Sequence, residues 1–375
     1  MKTGWQTKPL GEVCTLQRGF DLPTQDRISG RFPLVSSSGI TDTHSEGPVS
    51  GPGVVTGRSG SIGNVFFIDD SFWPLNTTLY VRDFHGNDPR FVFHLLNEFD
   101  LKRFSGGTGV PTLNRNDVHG EMVKVPAAVA EQQRIVAILD EAFDGIATAK
   151  ANAEKNLQNA RALFESELQS VFAAASKSFE MVALSELATD ITDGDHMPPP
   201  KCKIGVPFIT IGNINKKTRK IDFSDTFMVS HEYLKNLKPN RKPKRGDVLY
   251  TVTGSFGIPV QVVDDVKFCF QRHIGLVRPK QTTDSAWLNY LLLTPQAFKQ
   301  ANDGATGTAQ KTVSLKVLRG LIVPRVPLPQ QREAVAKLDT LLAETQRLES
   351  IYQQKLAALA ELKKSLLHQA FSGQL

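Results

Sequence analysis

The chain holds only three cysteines in 375 residues. Cys14, Cys202 and Cys269 lie far apart, in no Cys-x-x-Cys spacing. That argues against a disulfide framework or a cysteine zinc site, and it fits a reducing compartment. The eight histidines are scattered, without the His-Glu-x-x-His pairing of a catalytic zinc helix. No stretch approaches the ~18 apolar residues of a membrane span. The opening Met1-Lys2-Thr3-Gly4-Trp5 has no apolar signal-peptide core, so a cytoplasmic location is expected.

The tools of nucleic-acid chemistry are missing too. Pro198-Pro-Pro200 follows Met197 and does not make the Asn/Asp-Pro-Pro-aromatic motif of adenine-N6 methyltransferases. No Gly-x-x-x-x-Gly-Lys-Ser/Thr loop is present to cradle ATP phosphates. The nuclease-like Glu361-Leu-Lys363 sits inside a helical pattern, where a solvated charge pair explains it better. Gly60-Ser-Ile-Gly63 matches neither a nucleophile elbow nor a dinucleotide fingerprint. These absences point to a binding subunit with no catalytic residues, metal or cofactor of its own.

What is present is positive charge. The formal net charge is +6. Between Lys201 and Arg245 stand Lys203, Lys216, Lys217, Arg219, Lys220, Lys235, Lys238, Arg241, Lys242 and Lys244, against only Asp222, Asp225 and Glu232. A local excess of this kind is an electrostatic footprint for phosphate, although a solvated surface would look similar.

The chain is also written twice. Trp5-Gln-Thr-Lys-Pro-Leu-Gly-Glu-Val13 echoes Phe179-Glu-Met-Val-Ala-Leu-Ser-Glu-Leu187, and Phe32-Pro-Leu-Val35 echoes Val206-Pro-Phe-Ile209. Gly57-Arg-Ser-Gly-Ser-Ile-Gly63 echoes Thr251-Val-Thr-Gly-Ser-Phe-Gly257, and Gly106-Gly-Thr-Gly109 echoes Gly304-Ala-Thr-Gly307. Val123-Lys-Val-Pro126 echoes Leu321-Ile-Val-Pro324, and Gln132-Gln-Arg134 echoes Gln330-Gln-Arg332. The order is kept while the offset drifts from about 174 to about 199, so the second copy carries insertions. A repeat this long means two whole domains, not a solenoid. Insertions collect in loops, which carry specificity.

Each copy has two sections. The first mixes short β-rich runs (Phe66–Ile68, Leu79–Val81, Val248–Val252, Val260–Val263) with short helices (Phe91–Phe99, Trp287–Phe298) and Gly/Pro punctuation: an α+β domain. The second is helical. Leu139, Phe143, Ile146, Lys150, Ala153, Leu157, Ala160, Phe164, Glu167 and Val171 step by alternating four and three. Leu341, Thr345, Leu348, Tyr352, Lys355, Leu359, Leu362 and Leu366 do the same. A helix of ~40 residues is ~60 Å long and, apolar on one stripe, needs a partner. The other copy's helix is the nearest candidate, with contacts expected at Leu139, Phe143, Leu157, Phe164, Leu348, Tyr352, Leu359 and Leu366. The expected boundaries are 1–128 and 178–327 for the globular domains, and 129–177 and 328–375 for the helices.

Taken together, these residues resemble the specificity subunits of type I restriction–modification enzymes over essentially the whole chain. Phe32-Pro-Leu-Val-Ser-Ser-Ser-Gly-Ile40 with His44, and Val206-Pro-Phe-Ile-Thr-Ile-Gly-Asn-Ile214, are similar to two versions of the opening of a target-recognition domain. Gly57–Asn64 and Thr253–Gly257 resemble its mid-domain signature, and Pro324-Arg-Val-Pro-Leu-Pro-Gln-Gln-Arg332 its proline hinge. Pro126-Ala-Ala-Val-Ala-Glu131 lacks those hinge prolines, which leaves open a different bend at the first junction.

The resemblance implies two tandem target-recognition domains alternating with two long helices. Those helices pair as an antiparallel coiled coil, giving internal pseudo-twofold symmetry. Each domain would read one half of a bipartite asymmetric site on double-stranded DNA, and the helices would fix the gap. Two methyltransferase subunits would dock and bring S-adenosylmethionine. Two restriction subunits, using ATP and magnesium, would complete an adenine methyltransferase and ATP-dependent endonuclease. The candidate DNA contacts are Ser36, Ser37, Ser38, His44, Arg58, Ser59 and Arg115 (with Asn114 beside it) in the first domain. In the second they are Asn213, Asn215, Lys216, Lys217, Arg219, Thr253, Ser255 and Lys311. The signature Ser and Gly residues could equally serve only as turn formers. Two rival readings stay open here: an enzyme with an unrecognised site, and a coiled-coil scaffold that never touches DNA.

Overall fold

A computed structural model describes residues 4–106, 109–197, 199–308 and 310–375. Parts of the opening pentapeptide, of the Gly106–Gly109 echo and of the Pro198–Pro200 run therefore lie outside the described residues. The chain divides into two compact units, Met1–Lys155 with Tyr352–Leu375, and Asn156–Ile351.

In the first unit, strand Trp5–Pro9 pairs antiparallel with Met122–Pro126 and closes the globular part at its base. A four-stranded antiparallel sheet runs in the order Thr15–Arg18, Thr78–Asp83, Gly53–Gly57, Val65–Ile68. Gly53–Gly57 is buried along its whole length, as a central strand covered on both faces should be. A three-stranded sheet places Phe32–Ser36 between Gly39–His44 and the parallel strand Trp73–Pro74. Helix Pro89–Glu98 begins where Asp88 accepts bonds from the backbone N–H of Arg90 and Phe91, both at 2.9 Å, with proline at the first helical position. It buries Phe91, Val92, Leu95 and Leu96.

The second unit repeats this plan. Met181–Ala183 pairs with Ile322–Pro324. The four-stranded order is Ala188–Asp193, Ile274–Pro279, Val248–Thr251, Pro259–Gln261. The three-stranded sheet is Phe227–Val229, Val206–Ile209, Cys269–Phe270, the last again parallel. Asp284 caps helix Ser285–Leu293 as Asp88 caps its counterpart. The additions are the hairpin Ile214–Asn215 with Lys220–Ile221 and the helix His231–Asn236. Both fall in the basic stretch where the offset between the copies grows.

Two long helices follow the globular parts, Val129–Ser178 (50 residues) and Leu328–Ser372 (45 residues). At 1.5 Å per residue they are about 75 and about 68 Å long. They pack on each other in antiparallel sense. In the second unit Lys337 reaches Glu167 at 2.5 Å and Arg161 reaches Glu349 at 3.1 Å, so partners run backwards along one helix as the other advances. In the first unit Leu139 shares a core with Leu367, Ala370 and Phe371.

The heptad seam differs in part from its expected course. Leu139, Ala153, Ala160 and Phe164 are buried, and Phe143 and Leu157 half-buried. Beyond Phe164 the buried stripe moves by one residue to Leu168, Phe172 and Ala175, not Glu167 and Val171. There the helix packs on the globular part of the second unit: Phe172 lies 4.3 Å from Trp287, ring centre to ring centre. On the other helix Leu348, Tyr352, Leu359 and Leu366 are half-buried, whereas Lys355 is exposed and Leu362 is 47% exposed.

The two junctions share their backbone bonding. Ala127 N–H donates to Gly4 O at 2.9 Å, and Arg325 N–H donates to Glu180 O at 2.8 Å. The same bond forms with or without the prolines. Buried Gln132 accepts from Asp88 N–H at 2.9 Å and donates to Pro126 O; buried Gln331 accepts from Asp284 N–H at 2.6 Å and donates to Val326 O. Gln132 therefore corresponds to Gln331, one residue away from the alignment on Gln330-Gln-Arg332.

Candidate nucleic-acid interface

In the first unit one loop cluster gathers most of the candidate residues. The backbone N–H groups of Arg58 and Ser59 both donate to Thr77 O, at 2.8 and 3.1 Å. Leu113 N–H donates to Arg58 O, and Gly60 N–H to Pro111 O. The Ser36–Ser38 turn sits beside this lattice, with Ser37 N–H donating to Thr77 Oγ1. The Ser36 and Ser38 hydroxyls bond each other at 2.9 Å. Arg58 is half-buried and donates from Nη1 to Asn76 O at 3.1 Å. Arg115 is exposed at the start of a short helix capped by Asn114.

The second unit builds the same lattice from other residues. Val252 N–H donates to His273 O at 2.9 Å, Val313 N–H to Val252 O, and Gly254 N–H to Lys311 O. Exposed Lys216 reaches into it, donating to Ser255 Oγ at 2.7 Å. Lys311 is exposed, with its ammonium on Asn302 Oδ1. A cleft of about 350 Å³ opens here, lined among others by Asp193, His196, Thr253, Arg272, His273 and Gln310. Burial, and then the charge of Arg272, hold the His273 imidazole below its ordinary value, so the ring is neutral at physiological pH.

The signature glycines have a backbone reason. Gly60 and Gly63 take φ of +90° and +88°, Gly254 and Gly257 +69° and +90°, a region other residues enter only with strain. A Cβ on Gly257 would meet Phe298 at 2.5 Å.

Several candidate residues do not join the surface. His44 is 4% exposed, accepts from Ile28 N–H through Nδ1 at 3.0 Å and packs edge-on against Trp73. Asn213 is 6% exposed, accepts from Thr210 N–H and Oγ, and donates to Asp225 O. Thr253 is buried beside Thr312. All three hold loops in place. Asn215 is exposed, but its Oδ1 closes a turn by accepting from Lys217 and Thr218 N–H. Arg219 stands apart, at a left-handed φ of 53°, and lines a different cleft of about 650 Å³ with Lys217, Asn289, Tyr290 and Leu342. Burial lowers its guanidinium pKa, partly offset by Tyr290 and Glu165.

Two units that share one backbone lattice form a duplicated recognition scaffold, and comparison with known proteins names it. The family described as Type I restriction modification DNA specificity domain matches residues 2–158 and 177–357. The chain belongs to this family. The type I restriction enzyme EcoBI specificity subunit of Escherichia coli is 26% identical over 179 residues, 48% of this chain. The match spans 37% of that relative's length. Two solved chains share the fold over 100% of this one. The first, from work on complex assembly and conformational transition of the type I R-M system, is 21% identical with a TM-score of 0.79 and 99% of its own length covered. The second, the HsdS subunit from Thermoanaerobacter tengcongensis, is 22% identical with a TM-score of 0.64 and 98% covered.

The chain is thus a type I specificity subunit, a DNA-recognition protein. Among the described residues no group of three or more His, Cys, Asp or Glu is placed to hold a metal. Among them, too, no helix is long and apolar enough to cross a membrane. Asn76-Thr77 and Arg272-His273, which no sequence motif singled out, hold equivalent places in the two lattices, with Thr77 O and His273 O as acceptors. Each pair stands just before a strand of the four-stranded sheet, Thr78–Asp83 in one unit and Ile274–Pro279 in the other.

Proposed function

We propose that each unit reads one half of a bipartite, asymmetric site on double-stranded DNA, and that the long helices set the gap between the halves. The observation that carries this reading is the pair of matching backbone lattices fitted with unlike side chains: Arg58, Asn76 and Pro111 in one unit, Val252, Arg272 and Lys311 in the other. A common frame with different polar groups suits two unlike half-sites. Ser36–Ser38, Arg58, Ser59 and Arg115 in the first unit, and Lys216, Ser255 and Lys311 in the second, supply surface donors for phosphates and base edges.

The helices also dock two methyltransferase subunits, which bring S-adenosylmethionine. Two restriction subunits add ATP- and magnesium-dependent cleavage. The complex works in the cytoplasm, where three free thiols are stable. The test is to express the chain with its methyltransferase subunits and map methylated bases genome-wide. A split motif that vanishes when this chain is omitted is the expected result. A motif that persists without it, or none with it, overturns the proposal.

A further inference from the structure

The backbone positions of Asn76-Thr77 and Arg272-His273 are fixed by equivalent bonds on both sides. On the N-terminal side, Leu75 N–H donates to Val35 O at 2.8 Å and Gln271 N–H to Ile209 O at 3.0 Å. Phe20 N–H donates to Pro74 O at 2.8 Å, and Asp195 N–H to Phe270 O at 3.1 Å. On the other side, Arg58 N–H donates to Thr77 O at 2.8 Å and Val252 N–H to His273 O at 2.9 Å. Each dipeptide is clamped where three loops meet, so its side chains are presented in a set place.

The side chains themselves have nothing in common. Asn76 is half-buried and donates through Nδ2 to Asp21. Thr77 accepts from Ser37 N–H. Arg272 is exposed, and its Nε donates to His273 Nε2 at 3.4 Å. The Nη groups of Arg272 make no hydrogen bond among the described residues. His273 is half-buried and bonded at Nδ1 to the Gln271 amide at 2.8 Å. The cleft beside them carries His196 and Gln310 on its wall and Val252, Val313 and Leu315 as apolar lining. A guanidinium held by one nitrogen, with its fork open, is the group suited to the acceptor edge of a purine in the major groove. An amide such as Asn76 suits a different donor–acceptor pattern.

We infer that Asn76-Thr77 and Arg272-His273 are the paired specificity-determining positions of the two units, each selecting bases in its own half-site, with Arg272 the leading contact in the second. This inference rests on the DNA-reading function proposed above.

The test uses the full chain with its methyltransferase subunits. Arg272→Ala, an exposed truncation, and the exchange pair Arg272→Asn with His273→Thr are compared with Asn76→Ala. Methylated-base mapping should show the Arg272 variants relaxed or altered at one or two adjacent positions of one half-site. Asn76→Ala should alter only the other half. In gel shifts, Arg272→Ala should weaken binding to the wild-type target about tenfold or more while leaving a duplex of unrelated sequence unaffected. An unchanged motif, changes by both sets in the same half, or equal losses on target and unrelated duplex would overturn the assignment. A wild-type complex that leaves no split motif would instead overturn the DNA-reading function itself.

Discussion

His94 Nε2 lies 2.8 Å from Asp140 Oδ1, joining the short helix of the first unit to its long helix. The corresponding pair in the second unit is Tyr290 and Asp339, where the phenol donates to the carboxylate at 2.5 Å. Both copies thus tie the recognition part to the long helix through an acid on that helix, with different chemistry at the other end.

That difference predicts a pH effect confined to the first unit's tie. Burial pushes the His94 imidazole below its ordinary 6.5; Arg90 and Lys363 push the same way, and Asp140 opposes them. The unfolded chain then takes up this proton at a higher pH than the folded one. Its contribution to stability is complete above the ordinary histidine value and is lost as pH falls through it. Urea denaturation at pH 7.5 and 5.5 should show a larger drop in midpoint for the wild type than for His94→Gln. Parallel behaviour of the two proteins would reject this.

Tyr290→Phe removes only the hydroxyl from the second tie. The loss should be about 1 kcal/mol, because the acceptor Asp339 is exposed and water can replace the donor. A double-mutant cycle with Asp339→Ala should return most of that as coupling energy. A cycle without coupling would mean that the bond does not act in solution.

A stronger effect is expected at Arg278. Its Nε and Nη2 donate to the two oxygens of Asp247 at 2.9 and 2.8 Å, and the Asp247 side chain is 3% exposed. Removing one partner of such a pair strands the other charge, at a cost of about 3–5 kcal/mol. Arg278→Leu should therefore lower the unfolding midpoint well beyond Tyr290→Phe. The counterpart Arg82, exposed and bonded to Gln17, should tolerate the same change within about 0.5 kcal/mol.

Phosphate contacts should show in salt. Log affinity for duplex DNA should fall linearly with log salt concentration, and Lys216→Ala and Lys311→Ala should each reduce the slope by about 1 without changing the preferred sequence. A slope independent of both lysines would remove them from the interface.

Much of this architecture was legible because duplication prints the same constraint twice. Asp88 and Asp284 both cap helices, Gly63 and Gly257 both take positive φ, and both long helices begin just after a Val-Pro strand end. The site was less legible. A polar residue in a glycine-rich loop serves either solvent or the loop itself, and spacing does not distinguish these. His44 and Asn213 looked like surface readers, yet they satisfy buried backbone groups. Arg272 and His273 stood in no sequence motif, and only the backbone bonding of each unit shows that they correspond to Asn76 and Thr77. The seam beyond Phe164 slipped because Trp287 competes with the partner helix for the same face, which the heptad pattern alone does not contain.

If the helices set the gap between two half-sites, as proposed, lengthening one of them must change that gap. Four residues inserted next to Ala153, about one helical turn, should leave both half-site sequences intact in a methylated-base map and change the number of bases between them. An unchanged gap with both halves still read would mean that the helices do not set it.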